Sequence, residues 1–188
     1  MLVAATAISG VARAATLAVV DGVAITDADV AAATGGDLTG ERLRAAVDKL
    51  IERQLILELS QRKGLAATAE EVDRAAALAA KAYGSNRDTS PGQFRRRLAE
   101  EITISHYIDL YICPRIPMDE ATVKAWFVQK APSFMEKAPR TRGAREEEFP
   151  RFSNEARYYY VRSEISRLLG EEATAARKSA RVKVYLGG

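Results

Sequence analysis

The sequence holds 188 residues, 47% apolar and 28% charged, which is the composition of an ordinary globular chain and excludes disordered or collagen-like classes. Lys and Arg number 28 against 25 Asp and Glu, a balance of +3 spread along the chain, too even for the basic stripe that nucleic-acid recognition needs. One cysteine excludes an internal disulfide framework and a Cys-rich zinc site, and one histidine excludes any site that needs two.

Met1 to Val11 is an apolar run, and Ala12-Arg13-Ala14 before Ala15 has the small-x-small form that a signal peptidase reads. Residues 1–14 therefore read as the remnant of a signal peptide and predict export. The alternative is a short buried N-terminal strand or helix. No stretch reaches the roughly 18 apolar residues of a membrane span, so stable membrane insertion is not expected.

Leu17 to Thr26 follows as two β-rich runs around Asp21-Gly22, a pair suited to the positive φ angles of a type I′ hairpin. At the far end, Arg181 to Leu186 alternates with period two, placing Val182, Val184 and Leu186 on one face. This strand is expected to join the hairpin and to cover Val19 and Val23. Everything between reads helical. Thr26-x-x-Asp29 opens a short helix that Gly35-Gly36 breaks, and an apolar stripe from Leu43 to Leu59 predicts a helix over residues 41–63 stopped by Gly64. Thr68-x-x-Glu71 is a capping box before a stripe of Val72, Ala75, Ala76, Ala79 and Tyr83. Ser90-Pro91 opens a helix expected to run to Cys113, apolar nearly all round in its second half. Asp119 and Glu120 open a further helix bearing Val123, Trp126 and Phe127. Residues 136–153 carry prolines and charges without apolar period and read as a linker, and a last helix is expected over residues 154–179.

The order of these pieces resembles a known family. The segments LAVVDGVAITDADV, LRAAVDKLIERQLILELSQRKGLAATAEEVDRA and FRRRLAEEITISHYIDLYICPRIPMDEATVKAWFVQKAPSF look like the N-terminal domain of the SurA family, periplasmic chaperones related to parvulin-type prolyl isomerases. The likeness covers residues 17–134, and RLLGEEATAARKSARVKVYL resembles the helix and strand that close the family's core. It implies a mostly α fold with a small antiparallel sheet, a SurA/trigger-factor-like helical core whose N-terminal hairpin is joined by the C-terminal strand. It assigns residues 15–135 to the SurA-like domain and 154–188 to the closing helix and strand. In the family, parvulin domains of about 90 residues usually follow the point that corresponds to Phe134. Here the 18 residues of 136–153 reach at most about 60 Å and cannot bury a domain core. A parvulin site also resembles a cluster built on two histidines, and this chain has His106 alone.

The residues that invite a functional reading also have plain ones. His106 lies on a helix, where packing or solvent is its expected fate. Cys113 reads as an inert, buried thiol. The pairs Asp27 and Asp29, and Glu70 and Glu71, open helices where carboxylates belong electrostatically. Three successive tyrosines, 158 to 160, cannot share one helix face, so at least one is expected to be exposed. Trp126, Phe127, Phe134 and Met135, with Tyr111, are the candidate client-binding residues, beside a proline-broken helix where an apolar groove for extended chains would form. Core packing is the competing role for Trp126. No Gly-rich phosphate loop, nucleophile elbow or metal-spaced cluster is present in the sequence, so neither catalytic residues nor a cofactor is expected. The expectation is an exported, ATP-independent chaperone that holds unfolded polypeptides without covalent chemistry. A homodimer formed by exchange of the closing helix is open to it. The alternative is an envelope adaptor that docks one folded partner.

Overall fold

A computed structural model of the chain describes residues 14–36, 38–83, 91–130, 147 and 149–186. Residues 1–13 of the expected signal peptide remnant and most of the 136–153 linker, with Phe134 and Met135, lie outside them. The fold is mostly helical with a small three-stranded antiparallel sheet. It divides into two compact units, one formed by residues up to Leu55 together with those from Arg177 onward, the other by Ile56–Ala176. The division falls inside two helices, not at the linker.

In the first unit, β1 (Thr16–Val20) and β2 (Val23–Thr26) form the expected hairpin. Its two-residue turn has Asp21 at φ +45° and Gly22 at φ +94°, the pair of positive values that a type I′ turn requires. β3 (Val182–Val184) lies antiparallel on the other side of β1, giving the order β2-β1-β3. The covered positions differ from the expected ones. Ala18 and Val20 are fully buried and Ile25 nearly so, whereas Val23 is 46% exposed. Val19 stands opposite Lys183, on the face away from Ala18 and Val20. Strand parity puts residues 18 and 20 inward, and Val23 sits on an edge strand with a neighbour on one side only.

α1 (Asp27–Thr34) starts on a capping box: the Asp29 N–H donates to Thr26 Oγ1 at 3.3 Å, and the Thr26 N–H donates to Asp29 Oδ2 at 2.8 Å. Gly35, at φ +78°, ends it. α2 (Gly40–Arg62) contributes Val47, Ile51 and Leu55, all but fully buried, as is Val30 of α1. Arg177 holds Asp48 of α2 at 3.4 Å.

The second unit takes the end of α2, then α3 (Ala69–Tyr83), α4 (Pro91–Tyr107), α5 (Glu120–Lys130) and most of α6 (Phe149–Arg177). Its core gathers Ile56, Tyr107, Ile112, Ile116, Val123, Phe127, Phe149, Ala156, Tyr160, Leu168 and Ala173. Two expectations are corrected here. The helix from Pro91 does not run as α-helix to Cys113: after Tyr107 it widens into a π turn over Ile108–Ile112 and tightens into a 3-10 turn over Cys113–Arg115. Pro114 lacks the N–H that would extend the ladder. The last helix starts at Phe149, so the final five residues of the expected linker are helical. Pro150 is tolerated in a first turn, and Phe149 and Phe152 supply an apolar pair that the surrounding charges hid.

Candidate functional site

α5 and the start of α6 are joined by aromatic side chains. Phe127 packs its ring edge-on to Phe149, centroids 5.8 Å apart, and stacks on Phe152 at 6.3 Å. A kink at Phe152 (φ −117°, ψ 15°) interrupts α6 beside this cluster. Only 1% of Phe127 is exposed, so it is a core residue and not the client-facing one expected from its position. Trp126 is half-buried and meets Tyr160 edge-on at 5.9 Å. Burial raises the Tyr160 hydroxyl above its usual range, with Glu164 and Asp119 adding to the effect. Trp126 and Phe127 thus serve largely as packing.

Tyr111 has a different setting. The π turn inserts an extra residue into the helical repeat, so the apolar face of α4 does not continue unbroken. Ile112 stays fully buried while Leu110 is 61% and Tyr111 39% exposed. The Tyr111 ring stacks on that of Tyr107 at 5.4 Å and 15°, and the Lys63 ammonium sits 4.2 Å from its centroid. One face of the turn is therefore anchored while Leu110 and part of Tyr111 reach solvent. Tyr107 beneath is 2% exposed, and its hydroxyl is bonded to Glu172. Burial first, then the Glu172 charge, push the Tyr107 pKa up to about 12. Arg115, at the end of the 3-10 turn, holds the same Glu172 carboxylate. Tyr107 and Arg115 thus tie both ends of the irregular segment to α6.

Tyr158 is 56% exposed and Tyr160 only 3%, so the tyrosine run divides between solvent and core. Cys113 is half-buried, and desolvation followed by the Asp109 charge raises its thiol, which disfavours the reactive thiolate. Asp27, Asp29, Glu70 and Glu71 occupy first turns of α1 and α3. The Glu71 carboxylate accepts the Thr68 N–H at 2.8 Å and the Thr68 hydroxyl at 2.9 Å, which holds it below the usual carboxylate range. Sequence reasoning missed that His106 joins this box: Nε2 lies 3.1 Å from Glu71 Oε1 and Nδ1 lies 3.1 Å from the Leu65 carbonyl. It also missed Leu110, whose apolar character pointed to the core. No group of three or more metal-ligating side chains lies together among the described residues, and no helix among them is long and apolar enough to cross a membrane.

Compared with known proteins, the chain matches no family model and no curated sequence.

Proposed function

We propose that this chain is an exported, periplasmic holdase chaperone of the SurA-like kind, binding unfolded outer-membrane or secreted polypeptides through apolar surface without nucleotide or covalent chemistry. The observation that carries the reading is the π turn, where Leu110 and Tyr111 stand exposed on a segment that also carries the buried Ile112, with Tyr111 stacked on the buried Tyr107. An aliphatic and an aromatic side chain held on a braced segment offer client chains a contact that needs no rearrangement of the core. Lys63 beside the Tyr111 ring supplies a polar margin. The element order supports the reading too: hairpin, helices, then a closing helix and strand that returns to the hairpin. Prolyl isomerisation faces a barrier near 20 kcal/mol and needs a pocket that twists the imide. The proposal assigns this chain no such step.

Two assays on the purified protein test this. Light scattering during dilution of an unfolded outer-membrane protein should fall when the protein is added without nucleotide, and a proline-peptide assay should show no isomerase turnover. Protection of no client among several, with tight binding of one folded envelope protein instead, would replace the holdase by an adaptor.

A further inference from the structure

The two edges of the small sheet are not equivalent. Asp21 donates its N–H to the Arg181 carbonyl at 3.1 Å, and Tyr185 donates its N–H to the Leu17 carbonyl at 2.9 Å. These bonds fix the alternation along β3: residues 181, 183 and 185 turn their main-chain groups toward β1. Val182 and Val184 therefore present one N–H and one C=O each to the outer side. Among the described residues no strand lies there, since the order ends at β3. Val184 is 47% and Tyr185 53% exposed. On the opposite edge, the outward residues of β2 are Ala24 and Thr26. The Thr26 N–H is already taken by Asp29 Oδ2 at 2.8 Å, and the chain turns into α1 at Asp27. On that edge the capping box takes the Thr26 N–H, and Ala24 alone keeps both main-chain groups outward.

β3 carries little of what usually blunts an edge strand. It has no proline and no bulge, and Lys183 is its single charge. Its side chains also define what fits. Val182 and Val184 share the face of Ala18 and Val20, while Arg181, Lys183 and Tyr185 lie on the other, with Arg181 and Lys183 both exposed. A strand added alongside would meet apolar side chains on one face and two cations on the other.

We propose that the outer edge of β3 is a docking edge for an extended segment of unfolded polypeptide that alternates apolar and acidic residues and adds as a fourth strand. The identity of this occupant rests on the holdase reading. Main-chain pairing is blind to client sequence, which suits a chaperone, and the charge on one face biases the choice. So short an edge makes few bonds, and the bound segment leaves without an energy source.

The test titrates the full-length protein with a labelled ten-residue peptide alternating valine and glutamate, followed by fluorescence anisotropy. Val184→Pro removes an outward N–H and leaves the bonds of residues 183 and 185 to β1 intact. It should keep the wild-type melting temperature and weaken the peptide by about tenfold. On the wild-type protein, peptides N-methylated at successive positions should lose affinity at every second position, a readout that does not depend on the variant folding. Lys183→Glu should weaken the valine–glutamate peptide and strengthen a valine–lysine one. Equal affinity for all N-methylated peptides, or for Val184→Pro when folded, overturns the docking edge. Where the edge fails in this way and the wild-type protein still suppresses client aggregation, holding stands and only the edge is lost. A protein that protects no client yet binds the peptide with period two keeps the edge and loses the holdase. A dimer in sedimentation that Val184→Pro dissolves would make a second copy the occupant and overturn the client assignment.

Discussion

The Asp21 carboxylate accepts the N–H of Arg181 at 2.7 Å while the Asp21 N–H donates to the Arg181 carbonyl at 3.1 Å. These residues stand 160 positions apart, so one turn residue both shapes the hairpin and pins the C-terminal strand to it. Asp21 also adopts φ +45°, which aspartate and asparagine tolerate better than most side chains.

Asp21→Ala should lower the melting temperature, since it loses the side-chain acceptor and adds left-handed strain of about 1–2 kcal/mol. Asp21→Asn keeps an amide oxygen and the turn preference, and should remain near wild type. Thermal unfolding by circular dichroism compares the two. Equal melting temperatures for Ala and Asn would remove the double role.

Phe127 and the pair Leu110 and Tyr111 should separate stability from holding. Phe127→Ala empties a fully packed site between Phe149 and Phe152 and should cost about 3–5 kcal/mol. Leu110→Ser touches an exposed position and should shift stability by only about 0.5 kcal/mol. Tyr111→Ser also loses the stack on Tyr107 and the Lys63 contact and should cost about 1–2 kcal/mol. Both should weaken client protection. Denaturant melts and light scattering on the same preparations check both halves.

The capping box at Thr68 predicts a pH dependence with a definite sign. Hydrogen bonds from Thr68 depress the Glu71 carboxyl in the folded protein, so its contribution is present above the unfolded carboxylate pKa. It is lost as pH falls through the depressed folded value. Glu71→Gln should therefore melt below wild type at pH 7, with the difference shrinking steadily as the pH is taken below about 4. A difference that stays constant or grows as the pH is taken below about 4 would contradict the assignment.

Burial around Tyr107 gives a spectroscopic prediction. With its pKa raised to about 12 by burial and Glu172, Tyr107 should ionise above the ordinary tyrosine range, about 10, in an alkaline absorbance titration. Comparison with Tyr107→Phe identifies its share. Removal of a component near the ordinary tyrosine range, about 10, would show that the ring is not buried as described.

Local rules made much of the fold legible. Asp21-Gly22, Thr26-x-x-Asp29 and Thr68-x-x-Glu71 each specify a few residues of backbone through hydrogen bonds within reach of the sequence, and all three form. The strand 182–184 was legible from its alternation, and its partner from the need of a lone hairpin for a third strand. Less legible was what depends on residues far apart. Phe149 joins the helix because Phe127 waits in the core, and no periodicity within 136–153 announces that. The π turn has no sequence signature of its own, so Leu110 read as a core residue although its side chain reaches solvent. Phe127 read as accessible because it neighbours a proline-rich stretch, whereas its helical spacing from Val123 puts both inside. Of the candidate site, Tyr111 is legible in the sequence and its exposed neighbour Leu110 is not.

The central claim is that exposed apolar surface at the π turn holds unfolded polypeptides. Its most direct measurement is light scattering of a chemically unfolded outer-membrane protein diluted into buffer with an equimolar amount of wild type or of the Leu110→Ser/Tyr111→Ser double variant, no nucleotide present. Suppression by wild type, and loss of most of it in a double variant that circular dichroism shows to be folded at the assay temperature, is the predicted result. Equal suppression by the two proteins, or none by either across several clients, would contradict it.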